Sequence, residues 1–143
     1  MECPFCQLHL DEKINRTIKE GKLVTTILSN PRLIPGHVLV IPKRHIEKPW
    51  EMTDDERKEL FDTILFYQKK IIEKFSTGCD IREHYRPFLL QSRVKVDHIH
   101  FHLHPRELED DLFLKSQVGE KELWKDLPEE EVETMFRLLK EDE

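Results

Sequence analysis

The sequence predicts an α+β domain: an antiparallel sheet of about five strands, one long helix packed on it, and a C-terminal helix. Three observations carry this expectation. Residues 97–106 alternate histidine with apolar residues, as a strand with one apolar face does. Residues 38–41, Val-Leu-Val-Ile, form an unbroken apolar run between turn residues, the pattern of a buried strand. Apolar residues between Leu60 and Phe75 recur at helical spacing behind Thr53 and Glu56, which have the spacing of a capping box.

The elements follow in order. Residues 1–7 read as a short arm carrying Cys3 and Cys6, and residues 8–20 alternate charged and apolar residues in the manner of a short helix. Leu23 to Leu28 is rich in β-formers and reads as a strand that Ser29-Asn30-Pro31-Arg32 breaks. Pro35-Gly36 punctuates the chain before His37 and the buried strand, and Pro42 then delivers Lys43, Arg44 and His45 into a loop. The long helix runs from Thr53 through Leu60, Phe61, Ile64, Leu65, Ile71, Ile72 and Phe75 to Gly78. Phe88-Leu89-Leu90 and Val94 to Leu103 are expected as the third and fourth strands. After Pro105 the chain turns acidic, and a last helix begins with Pro128 in its first turn, continuing through Val132, Met135, Phe136 and Leu139. The organisation expected is a main domain over residues 1–106 and an acidic extension over 107–143 packed on the same domain.

Composition narrows the class. With 23 basic and 29 acidic residues in 143, the formal charge of −6 argues against a general nucleic-acid binder but leaves room for a small anion at a local site. No apolar run approaches 18 residues, so no membrane-spanning helix is expected. Met-Glu-Cys-Pro-Phe-Cys lacks the basic and apolar regions of a secretion signal, and the expected location is cytoplasmic. Three cysteines are an odd number, and Cys3 and Cys6 form a Cys-x-x-Cys, which in such a chain reads as metal or redox before disulfide. A redox pair needs a strand–CxxC–helix setting that this position does not offer. Cys79 has no evident partner and reads as an inert thiol.

The densest signal is Asp97-His98-Ile99-His100-Phe101-His102-Leu103-His104-Pro105-Arg106. On a strand all four imidazoles project from one face, with same-face neighbours roughly 6.5–7 Å apart. Such a face suits two kinds of chemistry. One is metal ligation, since His-x-His presents two nitrogens to one ion. The other is nucleophilic and acid–base work at an acyl or phosphoryl centre, because neutral imidazole is abundant at pH 7 and its phosphoramidate turns over.

Residues 98–106 resemble the signature of the histidine triad (HIT) superfamily of nucleotide hydrolases and transferases, His-φ-His-φ-His-φ-φ with φ apolar, often followed by Pro-Arg. A second stretch resembles that family's other marker: Pro35-Gly36-His37, the apolar strand, then Ile41-Pro42-Lys43-Arg44-His45. The resemblance spans about residues 1–106. It implies a zinc-containing enzyme in which His100 attacks the α-phosphorus of a nucleoside phosphoramidate or dinucleoside polyphosphate, giving a covalent nucleotidyl-histidine. The alternative is a nucleotide-binding module with little turnover. By the same resemblance His102 donates to a phosphate oxygen or the leaving group, and His37 holds the cluster. The resemblance also implies that Cys3, Cys6, His45 and His98 form a closed structural zinc set and that the protein is a homodimer acting on an adenine or guanine nucleotide; apolar residues such as Leu23, Ile27, Leu28 and Val40 are the candidates to hold the base, and no nucleic-acid or membrane partner is expected.

The chain also departs from the pattern. His104 stands where an apolar residue is usual and is expected as an extra surface imidazole. In place of a glycine-rich phosphate loop it has Gln91-Ser92-Arg93-Val94-Lys95-Val96. Arg93 and Lys95, with Gln91 and Ser92, are therefore the candidates for phosphate binding, and Ser29 lies where relatives carry an acid for the ribose. A third reading places a catalytic zinc among His98, His100, His102 and His37. The acidic stretch after Arg106 reads as a solvated linker, although in relatives the C-terminus borders the active site, where Trp124 would close over a ligand.

Overall fold

The computed structural model describes residues 2–8 and 16–140. Five strands form one antiparallel sheet in the order β1-β2-β3-β5-β4. They are β1 (Thr17–Glu20), β2 (Val24–Leu28), β3 (Val38–Pro42), β4 (Gly78–Arg82) and β5 (Phe101–Arg106), and α1 (Asp54–Lys74) connects β3 to β4. By clustering, the chain forms two compact units, Met1–Asp110 and Asp111–Glu143. The second unit contains α2 (Glu129–Lys140), with Glu129, Glu130 and Glu131 in its first turn and Arg137 and Lys140 in its last, the charge order that complements the helix dipole.

The sheet has two different faces because its strands alternate. One face carries Val24, Val38, Val40 and Leu103 and packs on α1 through Leu60, Ile64, Tyr67 and Ile71. Each fully buried leucine or isoleucine here contributes about 1.5–3 kcal/mol relative to leaving it in water. The other face carries Ile27, Leu39 and Ile41, with Phe5 and Leu8 of the N-terminal arm packed on them. Leu39 pairs with His102 across β3–β5, so the histidines of β5 share this second face.

The α1 capping box forms as the sequence predicts. Thr53 Oγ1 accepts from the Glu56 amide at 3.1 Å, and Glu56 Oε1 accepts from the Thr53 amide at 2.8 Å. Glu56 is nonetheless buried, which its salt bridge to Arg44 at 2.9 Å makes tolerable. That ion pair, helped by the Thr53 cap and against the upward push of burial, holds the Glu56 carboxyl down at about 2. The helix start is thereby tied to the loop that carries His45.

Three expectations for the elements fail, each for a physical reason. Phe88-Leu89-Leu90 is a turn rather than a strand; Phe88 and Leu90 are 79% and 91% exposed, so apolar content here reflects no burial. The strand beside β5 is Gly78–Arg82 instead, whose polar residues hide it from any hydrophobic pattern. The last strand starts at Phe101 and not Val94, because the His98 side chain and the Ile99 amide are drawn to the carbonyls of Pro42 at the end of β3 and Ile46 just after it. In the 8–20 segment, Thr17–Glu20 is an edge strand; the rest of the expected helix, over residues 9–15, lies outside the described residues.

Candidate functional site

Gly36 sets the approach to the site. Its φ of +82° suits glycine, and a Cβ would lie 2.8 Å from the Phe75 ring and 3.1 Å from Pro105. The turn delivers His37 to the start of β3, beside the histidines of β5. There one chain of hydrogen bonds fixes two tautomers. The Leu33 amide donates to His37 Nδ1 at 3.1 Å, so neutral His37 carries its proton on Nε2. That Nε2–H then donates to His102 Nδ1 at 2.8 Å, which leaves the His102 proton on its own Nε2. Burial, then neighbouring histidines, push His37 down to about 3 and His102 to about 2, so both stay neutral donors at pH 7.

His100 is fixed the opposite way. Its Nδ1–H donates to the His98 carbonyl at 2.7 Å, because a carbonyl can only accept. Nε2 is then left with a lone pair. Burial depresses its protonation further. His100 lines a cavity of about 150 Å³ together with Lys48, His84, Arg86 and Lys95. The combination is an unprotonated imidazole nitrogen, a fixed N–H donor beside it, and cations around the opening.

His98 leaves the sheet for a different task. Its Nε2–H donates to the Pro42 carbonyl at 2.7 Å, which frees Nδ1. Nδ1 lies 3.3 Å from Cys3 Sγ and 3.6 Å from Cys6 Sγ, and Cys6 Sγ lies 3.3 Å from His45 Nδ1. One donor atom from each of the four residues falls within 4.8 Å of the others. A tetrahedral zinc with bonds of about 2.3 Å to sulfur and 2.0–2.1 Å to nitrogen sets S···N separations near 3.6 Å, so the donors fit that ion. The Pro42 carbonyl plays the part of an outer partner that fixes the ligand tautomer. Because His98 is committed to the cysteines, the arrangement of His98, His100, His102 and His37 around one catalytic zinc does not form.

His104 is the clearest correction. It is 2% exposed rather than on the surface, with its ring against His37 at 4.4 Å, and neither ring nitrogen has a hydrogen-bond partner among the described residues. Alternation along β5 put it on the His102 face, under the turn that carries His37. With His37 and His102 it makes a second cluster of three donors within 4.8 Å. The Leu33 amide, however, takes the lone pair that His37 would need to free Nε2 for a metal.

The expected phosphate-binding residues divide. Lys95 lines the cavity and pairs with Asp97. Arg93 and Ser92 are exposed and are not among the lining residues, and Ser92 Oγ accepts from the Val94 amide in its own turn. Gln91 is engaged structurally: its Oε1 accepts from the Asp97 amide at 3.1 Å. Ser29 Oγ donates to the Pro31 carbonyl at 2.8 Å, within the break after β2. Of the expected base-pocket residues, Ile27 is on the histidine face, whereas Val40 is in the α1 core and Leu23 packs against it. Phe5 of the N-terminal arm stands beside the histidines instead, its ring 4.9 Å from that of His100.

Two residues escape sequence reasoning: Phe5, hidden in a short arm, and His84. The signal for His84 was the register of β4, which is invisible once the strand is placed at residues 88–90. A larger groove of about 570 Å³ runs along α1 and β1–β2, but it is lined by residues such as Lys19, Asp55, Lys58 and Glu59, with no histidine or cysteine.

Comparison with known proteins points one way. The model of the HIT domain matches residues 11–109. The chain is 27% identical over 113 residues to the adenosine 5'-monophosphoramidase hnt1 of Schizosaccharomyces pombe, covering 77% of this chain and 78% of that protein. A crystal structure of a HIT family member from Bacillus subtilis superposes with a TM-score of 0.75 at 26% identity, over 97% of this chain and 95% of that one. A zinc-bound histidine triad family protein from Mycobacterium smegmatis gives a TM-score of 0.65 at 25% identity, over 78% and 80% of the two chains.

Proposed function

The chain belongs to the HIT family, and from that premise we propose that it is a nucleotide hydrolase or transferase acting at the α-phosphorus of a nucleoside phosphoramidate or dinucleoside polyphosphate. The observation that carries this reading is the commitment of His100 Nδ1 to the His98 carbonyl, which leaves Nε2 unprotonated at the cavity. Nε2 attacks phosphorus, the bond to the leaving group breaks, and water or another acceptor displaces the histidine. His102 Nε2–H, held by His37, donates to a non-bridging oxygen as charge grows there. Lys95, with Arg86 and Lys48 at the same opening, offsets the phosphate charge that a glycine-rich loop would meet with amides. Phe5, its ring 4.9 Å from that of His100 and backed by the buried Ile27, Leu39 and Ile41, offers the apolar contact for a purine base.

Cys3, Cys6, His45 and His98 hold a structural zinc. When bound it closes the N-terminal arm onto the β3–α1 loop and so places Phe5 and the His98 carbonyl, the two groups that border His100. No described helix is long and apolar enough to cross a membrane. A cytoplasmic homodimer is part of this proposal by family likeness.

The test is an adenosine phosphoramidate with an amine leaving group. AMP release is expected, with an AMP adduct on His100 trapped by mass spectrometry. His100→Ala is expected to lose release by more than about a thousandfold, as loss of a nucleophile does, while keeping one zinc per chain. Tight AMP binding with no release and no adduct in the unsubstituted protein would replace the enzyme by a binding module.

A further inference from the structure

We infer that His84 is the acid–base residue of this site, giving a proton to the departing group and taking one from the attacking water. The inference rests on the reading of His100 as nucleophile and adds a residue to it. In the β4–β5 ladder Arg82 stands opposite His102 as the last pair, and two residues beyond it the chain brings His84 to the cavity that His100 also lines. The ring of His84 lies 5.5 Å from that of His102 with planes inclined by 35°, and His84 shares the 150 Å³ cavity with His100.

The other imidazoles are unable to cycle a proton. His100 gives Nδ1–H to a carbonyl and needs Nε2 for phosphorus. His102 is a fixed donor, since taking up a proton at Nδ1 breaks its bond from His37. His37 is held by the Leu33 amide in the same way. His98 is committed to Pro42 and the cysteines, and His104 is buried. His84 is exposed to solvent, and no hydrogen bond among the described residues fixes either nitrogen. Facing it are His100 just before β5, His102 and His104 from β5, Arg82 and Arg86 from its own segment, and around the cavity Glu47, Lys48, Glu83, Lys95 and Asp97. Partial burial, then Arg86 and Arg82, lower its pKa from the ordinary histidine value, so the imidazolium that starts the cycle is the minor form at neutral pH and a stronger acid than a free one.

The steps balance. As the His100 Nε2–P bond forms, the bond from phosphorus to the leaving atom breaks; its electron pair stays on that atom, which takes the proton of the His84 imidazolium. Water then bonds to phosphorus and passes a proton to His84, and the P–Nε2 pair returns to His100. Each cycle ends with His84 protonated, as it began.

The experiment compares two leaving groups. An alkylamine leaves AMP only with a proton, whereas p-nitrophenolate leaves AMP without one. His84→Gln is expected to slow the amine substrate by about 10²–10⁴-fold, the usual worth of general acid–base catalysis. With the p-nitrophenyl ester of AMP it keeps the burst of nitrophenolate, and the His100 adduct accumulates because hydrolysis lacks its base. Equal losses on both substrates, or full activity on both, overturn the role of His84. Inversion at a chiral α-phosphorothioate in the unsubstituted protein overturns the nucleophile instead, since two displacements give net retention, and the two failures are told apart by the protein that shows them.

Discussion

At the scale of the residue, the site is decided by where each imidazole places its one proton. Backbone groups make that decision: the Leu33 amide, the His98 carbonyl and the Pro42 carbonyl orient His37, His100 and His98 in turn. Four histidines spaced by two were legible as a face of imidazoles, but spacing says nothing of tautomers. His104 shows the limit plainly, since the same alternation that leaves His100 and His102 half-buried buries His104 under the His37 turn. At the cysteine pair the expected outcome is specific. Cys3→Ser should lower bound zinc from about one per chain and reduce thermal stability, because the arm loses its tie to His98 and His45. Elemental analysis with a melting curve checks it, and unchanged zinc content would count against the four-donor set.

At the scale of the element, α1 was the most legible part: its start follows from one capping box and its buried face from 3.6-residue spacing, whereas it ends at Lys74, short of the expected Gly78, which opens β4. Leu60, Ile64 and Ile71 are buried as their spacing required, whereas Phe61 and Leu65 of the same run remain well exposed. Losing the cap should be measurable. Thr53→Ala is expected to cost about 0.5–2 kcal/mol of stability, read from urea unfolding. The loss should come with a shift at His45, because the Arg44 salt bridge ends on the same carboxylate that completes the box. The strands were less legible. β4, Gly-Cys-Asp-Ile-Arg, has no alternation to find; it forms because pairing with β5 satisfies its backbone, a force that local composition does not carry.

At the scale of the whole molecule, the histidine cluster links folding to pH. His37 and His104 titrate at about 3 and about 4 in the fold, pushed down first by burial, against about 6.5 in an unfolded chain. Between these values the unfolded chain binds protons that the folded one refuses. The stability this cluster allows is therefore complete above pH 6.5 and is lost as pH falls toward 4. The urea midpoint should drop from pH 7 to pH 5, and His104→Leu should flatten that drop, because it removes a buried group whose nitrogens have no partner. An identical slope in His104→Leu would show that the loss arises elsewhere. By itself the sequence determined the α+β class, the long helix and the face of imidazoles, since these depend on period and spacing along the chain, whereas the partners of Cys-x-x-Cys were expected only from the family resemblance. Tertiary structure alone decided which histidine is buried, which nitrogen is free, and that His84 joins the site. Those facts depend on strand register and on backbone groups brought together from distant parts of the chain, which no local pattern records.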